Sequence, residues 1–340
     1  MPERINQKEI ARLANVCQAA VSAVLNPNAR GNTKVSSEVR ERILRIADEY
    51  NYRPNLQARI LRGNGCSNLV GVLIDPQISL FFYDLLLPLE IELRKRHKRM
   101  LIGQIGDNPE ETESLLRNFL DHNLDGVIAI HHDVRDSERI FRAFLPLLPQ
   151  TVFLNHPEGM PDTRAVCIDY ANGVREAVLH LAAGGRRRIA LCMDDAERYL
   201  SMRMRADGYR QGLVQAGLPF DSGLMFIRRP GTGCTFEEVI SDAVETLANR
   251  SGADAVIAGN DEWALALLKE LNRRRISVPD RIALVGYGNV RNICRSTAPE
   301  LTSIHHGTEE VACKLARALT DPAAAEQPVL SRLVIRESTV

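Results

Sequence analysis

The chain predicts a small all-α head of helix-turn-helix type followed by a two-lobed α/β body, on three observations. The first sixty or so residues hold three short amphipathic helical patterns separated by turn signals. From Leu69 onward, short apolar runs alternate with helical patterns. After residue 165 that alternation begins a second time. At 340 residues the chain has room for two or three domains, each with its own core.

The head opens at Asn6 and Glu9, three apart, where Asn6 can cap a helix and Glu9 can reach back to it. Ile10, Leu13 and Ala14 then make one apolar stripe. Asn15 follows at the turn, where the left-handed conformation that Asn tolerates would reverse the chain. Val21, Val24 and Leu25 form the apolar face of a second helix, which Asn26-Pro27 ends. Ser36 or Ser37 opens a third, with Val39, Ile43, Ile46, Ala47 and Tyr50 at helical spacing. Three short helices with one shared core are the minimum for a helix-turn-helix unit, although packed helical hairpins of other kinds are common. Charge points the same way. Residues 1–62 hold 11 Lys+Arg against 6 Asp+Glu, and the rest holds 32 against 37. A basic head on an acidic body fits a phosphate-binding module joined to a larger domain, with accidental fluctuation as the plain alternative.

In the body, LVGVLID (69–75), MLIGQI (100–105), GVIAI (126–130) and TVFLN (151–155) read as strands, and AVCID, RIALCM, LMFI, AVIAG and RIALVGY as a second set. Apolar strands alternating with helices imply parallel sheets covered on both faces. Ligands of such sheets bind beyond the carboxyl ends of the strands, here between the lobes. The closing SRLVIRESTV reads as the last strand of the body.

Other chemistries find little support. The seven cysteines are scattered with no C-x-x-C pair, which speaks against a disulfide framework or zinc site and fits a reducing cytoplasm. No run approaches a membrane span, and the N-terminus has no apolar segment like that of a signal peptide. The adjacent pairs His131-His132 and His305-His306 suit one metal poorly and read as loop or surface histidines. G-T-G (231–233) lacks the Lys-Ser/Thr of a phosphate cradle, and no G-x-S-x-G marks a nucleophile. LNRRR (271–275) reads as a helix end with cations near its C-terminal dipole. No cofactor or metal is expected, and no catalytic constellation argues for an enzyme.

Residues 50–62, YNYRPNLQARILR, carry a more specific signal. Tyr52, Pro54, Asn55, Ala58 and Leu61 match a Y-x-P-N-x-x-A-x-x-L segment, and here the chain resembles the LacI/GalR family of bacterial transcriptional regulators. The framework at Ile10-Ala11, Leu13-Ala14, Val16, Val21-Ser22 and Val24-Leu25-Asn26 matches as well, as does VSSEVRERILRIADEYNYRPN. In the body, D-G-V-I (125–128), I-D (168–169), R-R-I-A (187–190), N-D-E-W-A-L (260–265) and V-P-D-x-I-A-L-V-G-Y (278–287) extend the resemblance over essentially the whole chain.

The resemblance implies a helix-turn-helix domain over 1–53, a hinge helix and linker over 54–67, and a periplasmic-binding-protein-like effector and dimerisation domain over 68–340. Within the last, the N-lobe would take about 68–165 and 294–325, and the C-lobe about 166–293 and 326–340. Operator DNA would meet Gln18, Ala19, Ala20, Ser22, Ala23 and Asn26, with Arg30, Asn32 and Lys34 on phosphates. Asn55, Ala58 and Leu61 of the hinge helix would also contact the operator, Leu61 as an apolar wedge in the minor groove that kinks the duplex. A small-molecule effector would meet Asp75, Phe81, Phe82, Asn155, Arg205, Asn260, Asp261 and Asn289. For Asp261 and Arg205 the plain alternative is a structural role, Asp261 as a helix cap.

Departures from the family pattern fall on its contact surfaces. Cys17, Ala19, Ala20 and Ala23 replace polar residues on the reading helix, leaving Gln18 as the long polar side chain at its start. Ser79-Leu80 stands for the usual Asn-Pro, and Gly288-Asn289 follows V-G-Y where an Asp is usual. The expected protein is a cytoplasmic homodimer, commonly a repressor, whose operator affinity responds to an effector such as a sugar or sugar derivative. A diverged member with weak or altered DNA specificity is the nearer alternative, a solute-binding protein the more distant one.

Overall fold

A computed structural model describes residues 5–25, 35–52, 67–74, 80–106, 108–131, 137–148, 150–194, 200–228, 235–249, 252–321 and 327–340. Two compact units divide the chain, Met1–Ser67 and Asn68–Val340. In the first, Asn6 Oδ1 accepts from the Lys8 and Glu9 N–H groups at 2.9 and 3.1 Å, while Glu9 Oε2 accepts from the Asn6 N–H at 2.9 Å. That reciprocal cap starts α1 (Gln7–Ala14), and Asn15 at φ 50° ends it. α2 (Gln18–Leu25) and α3 (Ser37–Glu49) follow, α3 capped by Ser36 Oγ, which accepts from the Val39 N–H at 3.4 Å. Ile10, Ala11, Ala14, Val21, Val24, Ile43 and Ala47 form the core. The buried face of α1 is turned by one position from the expected stripe: Ala11 is inside and Leu13 is 41% exposed. Tyr50, expected on the core face of α3, is exposed as well.

Among its described residues the body holds two large sheets and one two-stranded pair. The first runs β2 (Arg99–Gln104), β1 (Leu69–Ile74), β3 (Gly126–Ala129), β4 (Thr151–Leu154), β5 (Ala165–Val166), parallel throughout. The second runs β13 (Arg332–Val334), β11 (Thr302–His305), β10 (Ala283–Gly288), β9 (Ala255–Ala258), β7 (Ile189–Asp194), β8 (Met225–Arg228). It too is parallel, except that β13 pairs antiparallel with β11. Helices α4 (Phe81–Lys95), α5 (Pro109–Asp121) and α6 (Ser137–Phe144) belong to the first half of the body. α7 (Tyr170–Ala183), α8 (Leu200–Gln215), α9 (Phe236–Asn249), α10 (Asp261–Arg273) and the single turn α11 (Arg291–Cys294) belong to the second. α12 (Thr308–Thr320) returns to pack on α4 and the first sheet.

Two details differ from the sequence reading. The expected strand AVCID splits at Cys167: β5 closes the first sheet, and β6 (Ile168–Asp169) pairs instead with β12 (Val329–Leu330). The expected return to the first lobe at residue 294 comes later. β11 is hydrogen-bonded to β10 from Val285↔Thr302 to Gly288↔His305, so the chain stays in the second lobe through His305. β11 was not foreseen because TSIH is only four residues long and partly polar. The closing strand was foreseen, as β13. Among the described residues, no helix is long and apolar enough to cross a membrane.

α7 and α8 meet through glycine. A Cβ on Gly208 would lie 2.3 Å from the Ala171 carbonyl oxygen, and one on Gly212 would lie 2.7 Å from the Val178 Cβ. The first clash is with backbone, so the helices can approach this closely only without a side chain at residue 208. Their contact sets Arg205, one turn back on α8, beside Tyr170 at the start of α7.

Candidate functional site

On α2, Gln18 and Ala19 are exposed and Ser22 and Ala23 half-buried, all over the closed three-helix core. Ala20 is 8% exposed and packs inward, so it corrects the expected contact list: a side chain already in the head's interior offers nothing to a base edge. Cys17 is exposed at the start of the same helix. The expected contacts Asn26, Arg30, Asn32, Lys34, Asn55, Ala58 and Leu61 lie outside the described residues.

The second site forms where β9 and β10 end and the chain crosses between lobes. Arg205 is buried, and its Nη1 donates to the Gly259 carbonyl at the end of β9 and to Met202 Sδ at 3.7 Å. Its guanidinium carbon lies 3.9 Å from the ring centre of Tyr287 on β10 and 5.4 Å from that of Tyr170. Such stacking holds the cation against aromatic faces while leaving hydrogen-bonding edges open. The Tyr287 hydroxyl donates to the Tyr170 carbonyl at 3.2 Å. Asn155, at φ 63° after β4, donates from Nδ2 to the Tyr170 hydroxyl at 3.0 Å and accepts the Ile168 N–H at 2.9 Å. Asn155 and Arg205, both expected at an effector site, are thus brought to one aromatic group, whose other members the sequence reading did not single out. Tyr170 and Tyr287 carried a faint signal, each standing at or beside a motif quoted for the family.

His306 completes the group, its ring centred 4.8 Å from Tyr287 and 5.6 Å from Tyr170. Burial, then the neighbouring charge of Arg205, hold its imidazole well below the ordinary histidine range. His306 and His131 are both buried, which corrects their reading as loop or surface residues. At the rim, the Leu80 N–H beginning α4 donates to Glu262 Oε1 of α10 at 2.8 Å, joining the lobes. Burial and Glu262 raise the Asp84 carboxyl nearby, while burial lowers His305.

The remaining expected effector residues are placed otherwise. Asn260 caps α10, its Oδ1 accepting the Trp263 N–H at 2.8 Å. Asp261 is fully buried, with Oδ1 accepting from Ser303 Oγ at 2.6 Å and Oδ2 from the Val290 N–H at 2.7 Å and Cys294 Sγ at 3.4 Å. Oδ2 ties the segment after β10 to α10 and Oδ1 ties β11 to it, and no effector can reach them without opening the lobe. Asn289, at φ 55°, accepts from Arg336 Nη2 at 2.7 Å. Asp75 and the side chains of Phe81 and Phe82 lie outside the described residues. LNRRR is a helix end: Arg273 and Arg274 both bond Glu270.

Comparison with known proteins agrees with this layout. A model described as "Bacterial regulatory proteins, lacI family" matches residues 6–55, and one described as "Periplasmic binding protein-like domain" matches residues 178–339. Catabolite control protein A of Priestia megaterium is 26% identical over 92% of this chain and 90% of its own. The chain thus carries a LacI-family helix-turn-helix domain joined to a periplasmic-binding-protein-like domain. Its fold recurs in a structure of the lac repressor dimer bound to operator and the anti-inducer ONPF, with TM-score 0.82 at 21% identity over 99% of this chain and 100% of that one. A transcriptional regulator CelR–cellobiose complex gives TM-score 0.68 at 25% identity, covering 98% and 100%. With these two domains the chain is a DNA-binding transcriptional regulator under effector control, and its named relatives are regulators rather than enzymes.

Proposed function

We propose that the chain acts in the cytoplasm as a homodimeric repressor on a near-palindromic operator, and that a sugar or sugar derivative held at Arg205 sets its affinity for DNA. The buried Arg205 on the rings of Tyr287 and Tyr170, at the carboxyl ends of the second sheet, is the observation that carries the effector half of this reading. The cellobiose complex of the related CelR supports the sugar class. For the dimer, α4 bares Tyr83 (44% exposed), Leu87 (69%) and Ile91 (38%) at helical spacing, an apolar stripe suited to a second copy.

On DNA, Gln18 makes the bidentate contact, most naturally to adenine, and Ala19 and Ala23 touch thymine methyls. Arg30, Asn32 and Lys34 hold phosphates, and Asn55, Ala58 and Leu61 of the hinge helix also contact the operator, Leu61 as a wedge in the minor groove. With so few polar groups on α2, specificity leans on DNA shape at the centre of the site. Selection from random DNA should return half-sites rich in A·T around a flexible central step such as CG or TA. Strong G preferences in both half-sites would contradict this assignment. A salt series on the selected site should show affinity falling steeply with ionic strength, and a flat response would sink the DNA-binding reading.

A further inference from the structure

We propose that the effector is an anion, a small molecule whose oxyanion is bound side-on by the Nε–Nη2 edge of Arg205. This rests on the reading of Arg205 as the effector site and names the class of ligand it takes. Arg205 as a residue is 8% exposed, its Nη1 is used by the Gly259 carbonyl and Met202, and its face is covered by Tyr287. Nε is buried and has no hydrogen-bond partner among the described residues. Leaving a buried charged donor unsatisfied is costly, and a planar oxyanion across that edge removes the cost with two parallel bonds.

Among the described residues, no carboxylate is hydrogen-bonded to Arg205. Glu262 and Asp84 stand at the rim facing each other, and three further carboxylates, at the ends of β6, β7 and β9, are held by other groups. Asp169 Oδ1 accepts from the Ala171 and Asn172 N–H groups and caps α7. Asp194 pairs with Arg228 at 2.6 Å and accepts from Trp263 Nε1 at 3.2 Å. Asp261 is enclosed by Ser303, Val290 and Cys294. The end of β10 resists acquiring another. Gly288 sits at φ +129°, where a side chain is strained, and a Cβ on Gly286 would fall 2.1 Å from Asp261 Oδ1. Arg205 is therefore a buried cation with no ion-pair partner among the described residues, in a site whose neighbouring His306 is held neutral. A neutral polyol offers this edge only hydroxyl lone pairs, whereas a carboxylate or phosphate offers charge and matching geometry.

Calorimetric titration of the full chain with matched probes tests the assignment: D-gluconate and D-glucose 6-phosphate beside D-glucose, then other aldonates and hexose phosphates beside their neutral aldoses. At least one anion should bind roughly tenfold or more tightly than its neutral parent. The aldonate and phosphate arms separate the two sources of oxyanion. Arg205→Gln should abolish the preference, and Arg205→Lys should keep its direction with weaker binding, since the charge remains and the fork is lost. Arg203→Gln, which removes an exposed partner of Glu158, should leave the preference intact. Should Arg205→Gln not fold, Arg205→Lys together with weakening of the wild-type preference at high salt decides the matter. Neutral aldoses binding as well as their anions overturns the proposal, as does absence of binding by every anion or an anion preference that survives Arg205→Gln. Operator binding by the wild-type chain is read separately, so failure here leaves the DNA-binding reading standing and failure there does not touch the ligand class.

Discussion

Asp261 shows how one residue can keep its place in a motif while its work differs from the expected one. It stands beside a helix-capping Asn in N-D-E-W-A-L, and nothing in that string says which way its carboxylate turns. The structure turns it inward, under the loop that follows β10. Burial pushes its carboxyl up to about 6, against hydrogen bonds from Ser303, Val290 and Cys294 that pull it back. The folded chain therefore holds this proton more tightly than the unfolded chain. The stability it contributes is complete below about pH 4, the ordinary carboxylate range, and is lost as pH rises through about 6. Denaturant melts compared across that window should show wild type losing up to ~3 kcal/mol more than Asp261→Asn. Asp261→Ala should lose the same slope and cost a further ~1–3 kcal/mol at low pH, because the Val290 N–H and Ser303 hydroxyl are left without an acceptor. A slope unchanged in both variants would place the titration elsewhere.

Among the elements, α2 and the α7–α8 pair carry the sharpest tests. The apolar spacing in the head made its three helices legible, and Asn6, Glu9 and Asn15 marked the ends of the first. Val21, Val24 and Leu25 marked the inward face of α2, but spacing alone left open which alanines border it, because alanine suits either environment. Ala20 faces the core and Ala19 faces out. Ala20→Gln should therefore lower the melting stability of the head by ~1–3 kcal/mol through overpacking. Ala19→Gln should leave stability within ~0.5 kcal/mol and alter base preference instead. Gln18→Ala should relax one base position in each half-site by about 1–3 kcal/mol without moving the melt. A melt lowered equally by both alanine replacements would mean that α2 is rotated from its position here. Between α7 and α8, Gly208→Ala should push the helices apart and displace Arg205 from Tyr170. Effector affinity should then fall at least tenfold while the head still binds operator, as separate titrations of each would read. No periodicity marked that glycine, since its role lies in a contact with an element thirty-odd residues earlier in the chain.

Across the whole molecule, the restart of strand–helix alternation was enough to give two lobes and parallel sheets. The lobe boundaries were less legible, because β5 and β6 share one apolar run and β11 is short. The site was legible in part: Arg205 and Asn155 meet at one place, while Tyr170, Tyr287 and His306 join them only through folding. For assembly, Leu87→Asp on the bare stripe of α4 should raise the dimer dissociation constant by roughly tenfold or more and leave the melt of each subunit unchanged. Sedimentation over a concentration series would read the change, and an unaltered constant would move the dimer contact away from α4. The late return of α12 to the first sheet has a consequence for synthesis. That lobe lacks the helix that covers α4 until residue 320 has been made, although its strands are complete by residue 166. The head needs nothing beyond residue 67 for its own core. On the ribosome, the helix-turn-helix unit can thus be finished some 250 residues before the first lobe, and a nascent chain carries its reader long before the rest of the molecule is whole.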